Sequence, residues 1–348
     1  NNYFKKYDNN ISISTQENDF IGLKMFNDYN EKLEKYFEVF QGIVTGNNES
    51  YIFDEDKLDE IKIERELLHP LLHGRDIGKW IIKNENRSIM YVDSNTQILN
   101  FPIAYNWLYK DKEILEKRRE CLNGSIKWYS LQWSRDKNLL DITPKILVQN
   151  TRNERLKPRI VATIDEIGCY TSQGINMIVS KTNKDDTYWL ISIINSKLIN
   201  YLFQNKFLNL AIKADYIKNI PLPIMTEDIK FNLSVCAKNI LSCYKKLDAI
   251  LTNLTKLLQI RYSDININTK LSNWNELSFK DFSKELEKQK IKLSISEQAE
   301  LMQYFETEQT KANSIQQTIT QTDKEIDAMV YKLYELTDEE IKIVEGNL

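Results

Sequence analysis

Metal and redox chemistry have little to work with in this chain. It holds four cysteines (Cys121, Cys169, Cys236, Cys243) and two histidines. The cysteines have no zinc spacing. His69 and His73 lie four apart, but Pro70 follows the first and no third ligand is in view. Glycine is scarce, at nine residues, and none sits in a strand–GxGxxG–helix frame. "GIVTGNNE" has a glycine at each end of its turn but lacks that frame. No Ser/His/Asp order suggests a hydrolase, and Asp185 and Asp186 read as solvated loop. No apolar run approaches the roughly 18 residues of a membrane helix. No signal peptide opens the chain, so the cytoplasm is the expected compartment. The start "NNYFKKYD", without Met, reads as a fragment of something longer.

What the chain does have is unevenly spread charge. The net charge is −3, yet Lys110 to Arg159 carries 13 cationic and 7 anionic residues, whereas Thr226 to Leu348 carries 16 and 20. A basic middle and an acidic tail imply different partners. Residues 1–36 read as an Asn-rich linker leading into a short helix. From residue 37 to 225, runs such as "SIMYV", "KILVQN", "RIVATID", "CYTSQ" and "NMIVS" predict short strands. One helix, "YWLISIINSKLINYLFQNK", interrupts them, and "IPLPI" forces an extended exit. From residue 226 to 348 the pattern turns helical. Ala237, Ile240, Tyr244, Leu247, Leu251, Leu254 and Leu258 step by three and four, as do Leu301, Phe305, Glu308, Ala312, Ile315, Ile319, Thr322, Ile326, Met329 and Leu333, with two polar breaks. "SKELEKQK" predicts a helix between these seams, and "TDEE" a capping box for a last one. The fold class is α+β: a mixed α/β domain followed by an α-helical bundle or coiled-coil segment.

The stretch "KWYSLQWSRDK" sets Trp128, Tyr129 and Trp133 among cations, with Arg119 just upstream. A basic, aromatic surface without a reaction centre points to binding rather than catalysis.

Seven segments extend that reading: "FQGIVTGNNESYIFDE", "LLHPLLHGRDIGKW", "LEKRRE…KWYSLQWSRD", "PKILVQN", "YWLISIINSKL", "IKADYIKNIPLPI" and "EIDAMVYKLYELTDEEIKIVEG". In this order, from Leu33 to Gly346, the chain resembles the C-terminal half of type IIG restriction–modification enzymes and related adenine-N6 DNA methyltransferases. That half is a target-recognition domain followed by a helical segment. The family's Asn-Pro-Pro-Tyr/Phe motif, its S-adenosylmethionine loop and a PD-(D/E)xK nuclease signature are absent from this sequence. The resemblance therefore implies a specificity module for double-stranded DNA. A methyltransferase domain or subunit, with or without a nuclease, would be its partner. This chain would have no cofactor of its own; S-adenosylmethionine would serve the methyltransferase part.

Reading DNA takes cations and small polar groups for phosphates and a few side chains for base edges. Lys117, Arg118 and Arg119, on an expected helix, are phosphate candidates; the alternative is a solvated face paired to Glu113, Glu116 and Glu120. Lys157 and Arg159 flank Pro158 in a rigid basic turn, with Arg152 and Arg155 before them; Arg75 in "GRDI" and Lys213 join this set. Gln132 suits adenine and Arg135 guanine. Trp128 and Trp133 could wedge or stack on bases, or anchor the loop in the core. Thr171, Ser172, Gln173 and Asn176, around Gly174, are candidate base readers or an ordinary hairpin turn. Thr45 and Asn47 could help a backbone cradle for phosphate. The rivals to a DNA module are a helical protein–protein scaffold and a single-strand RNA binder.

Overall fold

The computed structural model describes residues 20–346, apart from 84–85, 154 and 208–209. Most of the expected N-terminal linker, residues 1–19, lies outside the described residues. The chain packs as two compact units: Asn1–Ser234 with Met329–Leu348, and Val235–Ala328.

The first unit is built on two small sheets. In the first, β1 (Phe37–Gln41), β10 (Ile175–Ser180), β7 (Lys145–Gln149) and β8 (Ala162–Asp165) lie side by side in that order, all antiparallel. Strand β7 is a near-continuous apolar run, "KILV", and all of these residues are buried, as a strand covered on both faces requires. The second sheet has the order β2 (Ile52–Asp54), β6 (Arg87–Met90), β3 (Leu68–Leu72), β9 (Tyr170–Thr171), with β3 and β9 parallel. A short hairpin, β4 (Ile77–Gly78) with β5 (Ile81–Ile82), completes the strands. The sheets are stitched together at Gly42: Gly42 N–H donates to Ile175, Ile43 N–H to Thr171, and Ser172 N–H to Leu72. A Cβ on Gly42 would lie 2.2 Å from the Ser172 carbonyl oxygen and 2.5 Å from that of Thr171, so only glycine fits.

The expected strands are present, and "IPLPI" is non-helical. The single helix expected at "YWLISIINSKLINYLFQNK" is two, Asp186–Asn195 and Lys197–Lys206. Ser196 turns extended between them, and its hydroxyl accepts the Ile199 N–H at 3.3 Å, so a local cap overrides the continuous apolar period. The helix expected through "LEKRREC" also breaks. Lys112–Glu116 ends before Arg118, which is extended, and Arg119–Leu122 begins a new turn.

The last residues return to the first unit. Tyr334 Oη donates to the Pro221 carbonyl at 2.7 Å and its ring meets Tyr29 edge-on. The "TDEE" capping box is formed, Thr337 N–H donating to Glu340 and Glu340 N–H to the Thr337 hydroxyl. The division expected at residue 226 follows sequence character; packing groups the chain differently.

In the second unit the two seams lie on helices Glu227–Arg261 and Ile295–Leu333. Ala237, Ile240, Leu247, Leu254 and Leu258 are buried on the first helix, and Phe305, Ala312, Ile319 and Ile326 on the second. Asn239 on one reaches Thr322 on the other. Trp274, Phe282 and Leu286 close the core around Phe305. The "SKELEKQK" helix is Phe279–Lys288.

Candidate nucleic-acid interface

A polar groove of about 710 Å³ opens on the first unit where the sheets are stitched together. Its walls come from the Gln41–Asn48 loop, His73 and Gly74 after β3, Asn150 and Thr151 after β7, and Ser172–Gly174 before β10. A second lobe of about 610 Å³ shares Asn48, His73, Gly74, Thr151 and Gly174 with it and adds Arg75 and Gln149. The walls meet closely. The Gly174 carbonyl accepts from Asn150 N–H, and a Cβ on Gly74 would come within 3.0 Å of it. The Gln149 amide clamps the floor by donating to the carbonyls of Gly74 and Ile77.

The expected site residues divide between groove and scaffold. Thr45, Asn47, Ser172 and Gln173 line the groove, and Arg75 lines its second lobe with its side chain 77% exposed. Asn47 also caps the turn Asn48–Tyr51 by accepting from Glu49 N–H. Thr45 is buried, and its hydroxyl donates to Asn48. Arg152 follows Thr151 and is half-buried, its guanidinium donating to Pro158 O and to the Gln149 side chain. Arg155 and Lys157 are exposed in the same loop, and Lys213 is exposed after Ile212, whose N–H bonds Asn150 O.

Four of the candidates are parts of the scaffold. Arg118 donates to three carbonyls, those of Leu115, Thr45 and Trp128, which fixes the break in the "LEKRREC" segment. Arg159 is 1% exposed and donates to Arg152 O, so it holds the basic turn from inside and has no surface for a phosphate. Asn176 is buried on β10, donating to Ile212 O. Thr171 is buried on β9, where its Oγ1 has no hydrogen-bond partner among the described residues. Lys117 and Arg119 stay exposed.

The "KWYSLQWSRDK" loop is split in the same way. Trp128 is half-buried among Tyr105, Tyr109 and Tyr129, with the Lys112 ammonium 5.5 Å from its ring. Trp133 is 47% exposed, and its backbone pairs with Val44 on the groove wall. Arg135 adopts a left-handed conformation (φ 66°), held by Nε–H donation to Gly42 O at 3.0 Å and by Tyr91 Oη donating to its carbonyl. Its guanidinium lies 5.5 Å from the Trp133 ring. Burial pulls the pKa of Arg135 and of Arg152 below the usual guanidinium range. Gln132 donates to the Glu120 carboxylate at 2.8 Å. A carboxylate only accepts, so this bond assigns the amide nitrogen to Glu120 and leaves Gln132 an oxygen acceptor over Gly46.

Sequence reading missed His73, Asn48 and Thr151 as groove residues, along with Gln149 beneath them. The pair of histidines was considered only as a metal site. The structure separates them: His69 stacks on Tyr170 with ring centroids 4.0 Å apart, while His73 faces the groove. The one available signal was the position of His73 beside "GRD".

Residues 69–222, which contain most of these walls, match the family of the TaqI-like C-terminal specificity domain. This region is similar to the target-recognition domains of restriction–modification enzymes. The resemblance read from the sequence is borne out by that match, as is the α+β class by the fold. Residues 226–330 match a domain of unknown function, DUF8810. Among solved structures, the fold is similar to that of the type IIL restriction–modification enzyme MmeI, determined in complex with DNA. The TM-score is 0.53 and the identity 9%, over 91% of this chain and 36% of that one. The chain thus spans about a third of that protein's length.

Proposed function

We propose that this chain is a sequence-specificity module that reads duplex DNA through the groove of its first unit. The observation that carries this reading is the groove itself, built from polar loop residues, with Arg75 lining its second lobe and exposed Arg155 and Lys157 following its wall residue Thr151 in the chain, and lying mostly within the segment that matches a specificity domain. Cations at the rim suit phosphates, while Gln132, Arg135 and the groove amides suit base edges. The helical second unit would serve the catalytic partner. In this proposal that partner is a methyltransferase domain or subunit that transfers methyl groups to adenine N6, and it binds S-adenosylmethionine. Its acceptor-base motif does not occur in this sequence.

Salt titration of binding to duplex and single-stranded DNA tests the reading. Duplex should be preferred, with affinity falling log-linearly with salt, and Arg75→Ala should reduce the slope by about one. Preference for the single strand, or no binding, rules the proposal out. Incubated alone with labelled S-adenosylmethionine and DNA, the chain should transfer no methyl groups; turnover would show that the division of labour is wrong.

A further inference from the structure

His73 lines both lobes of the groove and is half-buried there. Its ring is held from one side. Ser172 Oγ lies 3.0 Å from Nδ1. The turn that carries the ring is closed by main-chain groups: Asp76 N–H donates to the His73 carbonyl at 2.9 Å, and the Asp76 carboxylate accepts the His73 backbone N–H at 2.7 Å. A ring nitrogen accepts only when unprotonated, so where the Ser172 hydroxyl donates to Nδ1 the neutral ring carries its hydrogen on Nε2. The surrounding charges favour that neutral form. Burial and the Arg87 guanidinium hold the pKa below the ordinary histidine value, Arg75 adds to this, and Asp76, itself paired with Arg87, opposes it. Nε2 has no hydrogen-bond partner among the described residues.

We propose that His73 presents Nε2–H as a fixed neutral donor to a hydrogen-bond acceptor of duplex DNA, with Ser172 as its positioning residue. The acceptor is a phosphate oxygen or a base-edge acceptor such as a purine N7, guanine O6 or thymine O4. This rests on the reading of the groove as a DNA site. A donor locked in place rejects the amino edge of cytosine, so at a base it discriminates as well as binds.

The test uses the full chain. Its two histidines give a simple ¹⁵N spectrum. At neutral pH His73 should show the Nε2–H tautomer, and adding duplex should move that nitrogen. Ser172→Ala should shift the tautomer balance. His73→Phe should weaken duplex binding about three- to tenfold, the range for one hydrogen bond. His73→Gln, which keeps an N–H donor, should recover part of that loss. Over single-base variants of the bound site, an even loss assigns the contact to phosphate, and a loss confined to one base pair assigns it to a base edge. An Nδ1–H tautomer, or His73→Phe binding duplex as tightly as the parent, overturns this inference and leaves the DNA reading standing. Failure of the unaltered chain to bind duplex overturns both.

Discussion

Cationic side chains in this chain differ in what their nitrogens already hold, and composition does not show this. Arg159 and Arg75 both read as phosphate contacts in the sequence. Arg159 is enclosed and bonded to a carbonyl, whereas Arg75 projects from the groove. Arg159→Ala should therefore lower unfolding free energy by about 1.5–3 kcal/mol, the scale of a charged hydrogen bond left unmade. Arg75→Ala should stay within about 0.5 kcal/mol of the parent while weakening DNA binding. Urea denaturation of both variants checks this, and equal losses of stability would contradict it. His69 offers a second residue-scale prediction. Burial, with Lys137 nearby, lowers its pKa from 6.5 to about 4. The unfolded chain then binds a proton that the folded chain refuses, so stability should fall as pH drops from about 6.5 towards 4. His69→Phe keeps a ring against Tyr170 and should remove that part of the pH slope in urea midpoints. An unchanged slope would mean that His69 titrates normally.

At the scale of elements, periodic apolar runs were readable and interruptions were not. Strands β7 and β10 and both long helices follow from residue pattern. The breaks at Ser196 and Arg118 depend on a hydroxyl finding Ile199 N–H and on a guanidinium finding three carbonyls, contacts that no period encodes. Gly42 belongs to the same class. The two nearest atoms that a Cβ there would meet are main-chain oxygens held in the sheet seam, with the Thr171 hydroxyl third at 2.6 Å, so Gly42→Ala should cost at least about 2 kcal/mol. It should also disturb the groove wall and reduce DNA binding. A variant with parent-like melting would show that the seam can relax. In the second unit, Phe305 touches Trp274, Phe279 and Phe282, and Phe305→Ala should cost about 3–5 kcal/mol. A loss below 1 kcal/mol on denaturation would mean that this core is loosely packed.

For the whole molecule, the α+β order and the resemblance to specificity domains were legible because each segment carries its own local signal. The groove was only partly legible. Ser172, Gln173 and Asn47 were named from their polarity near Gly174 and Gly46, but His73, Asn48 and Thr151 reach the same space from separate loops. Only the crossing of the two sheets at Gly42 brings them together. The function proposed for the whole molecule depends on this groove reading a base sequence. The most direct measurement is selection of bound sites from a random duplex library by the full chain, repeated with Arg135→Ala. One short motif should be enriched, and Arg135→Ala should relax it at one position, by about 1–3 kcal/mol of discrimination. A library that returns unenriched, or a motif unchanged by the loss of Arg135 and of every groove side chain in turn, would contradict the claim.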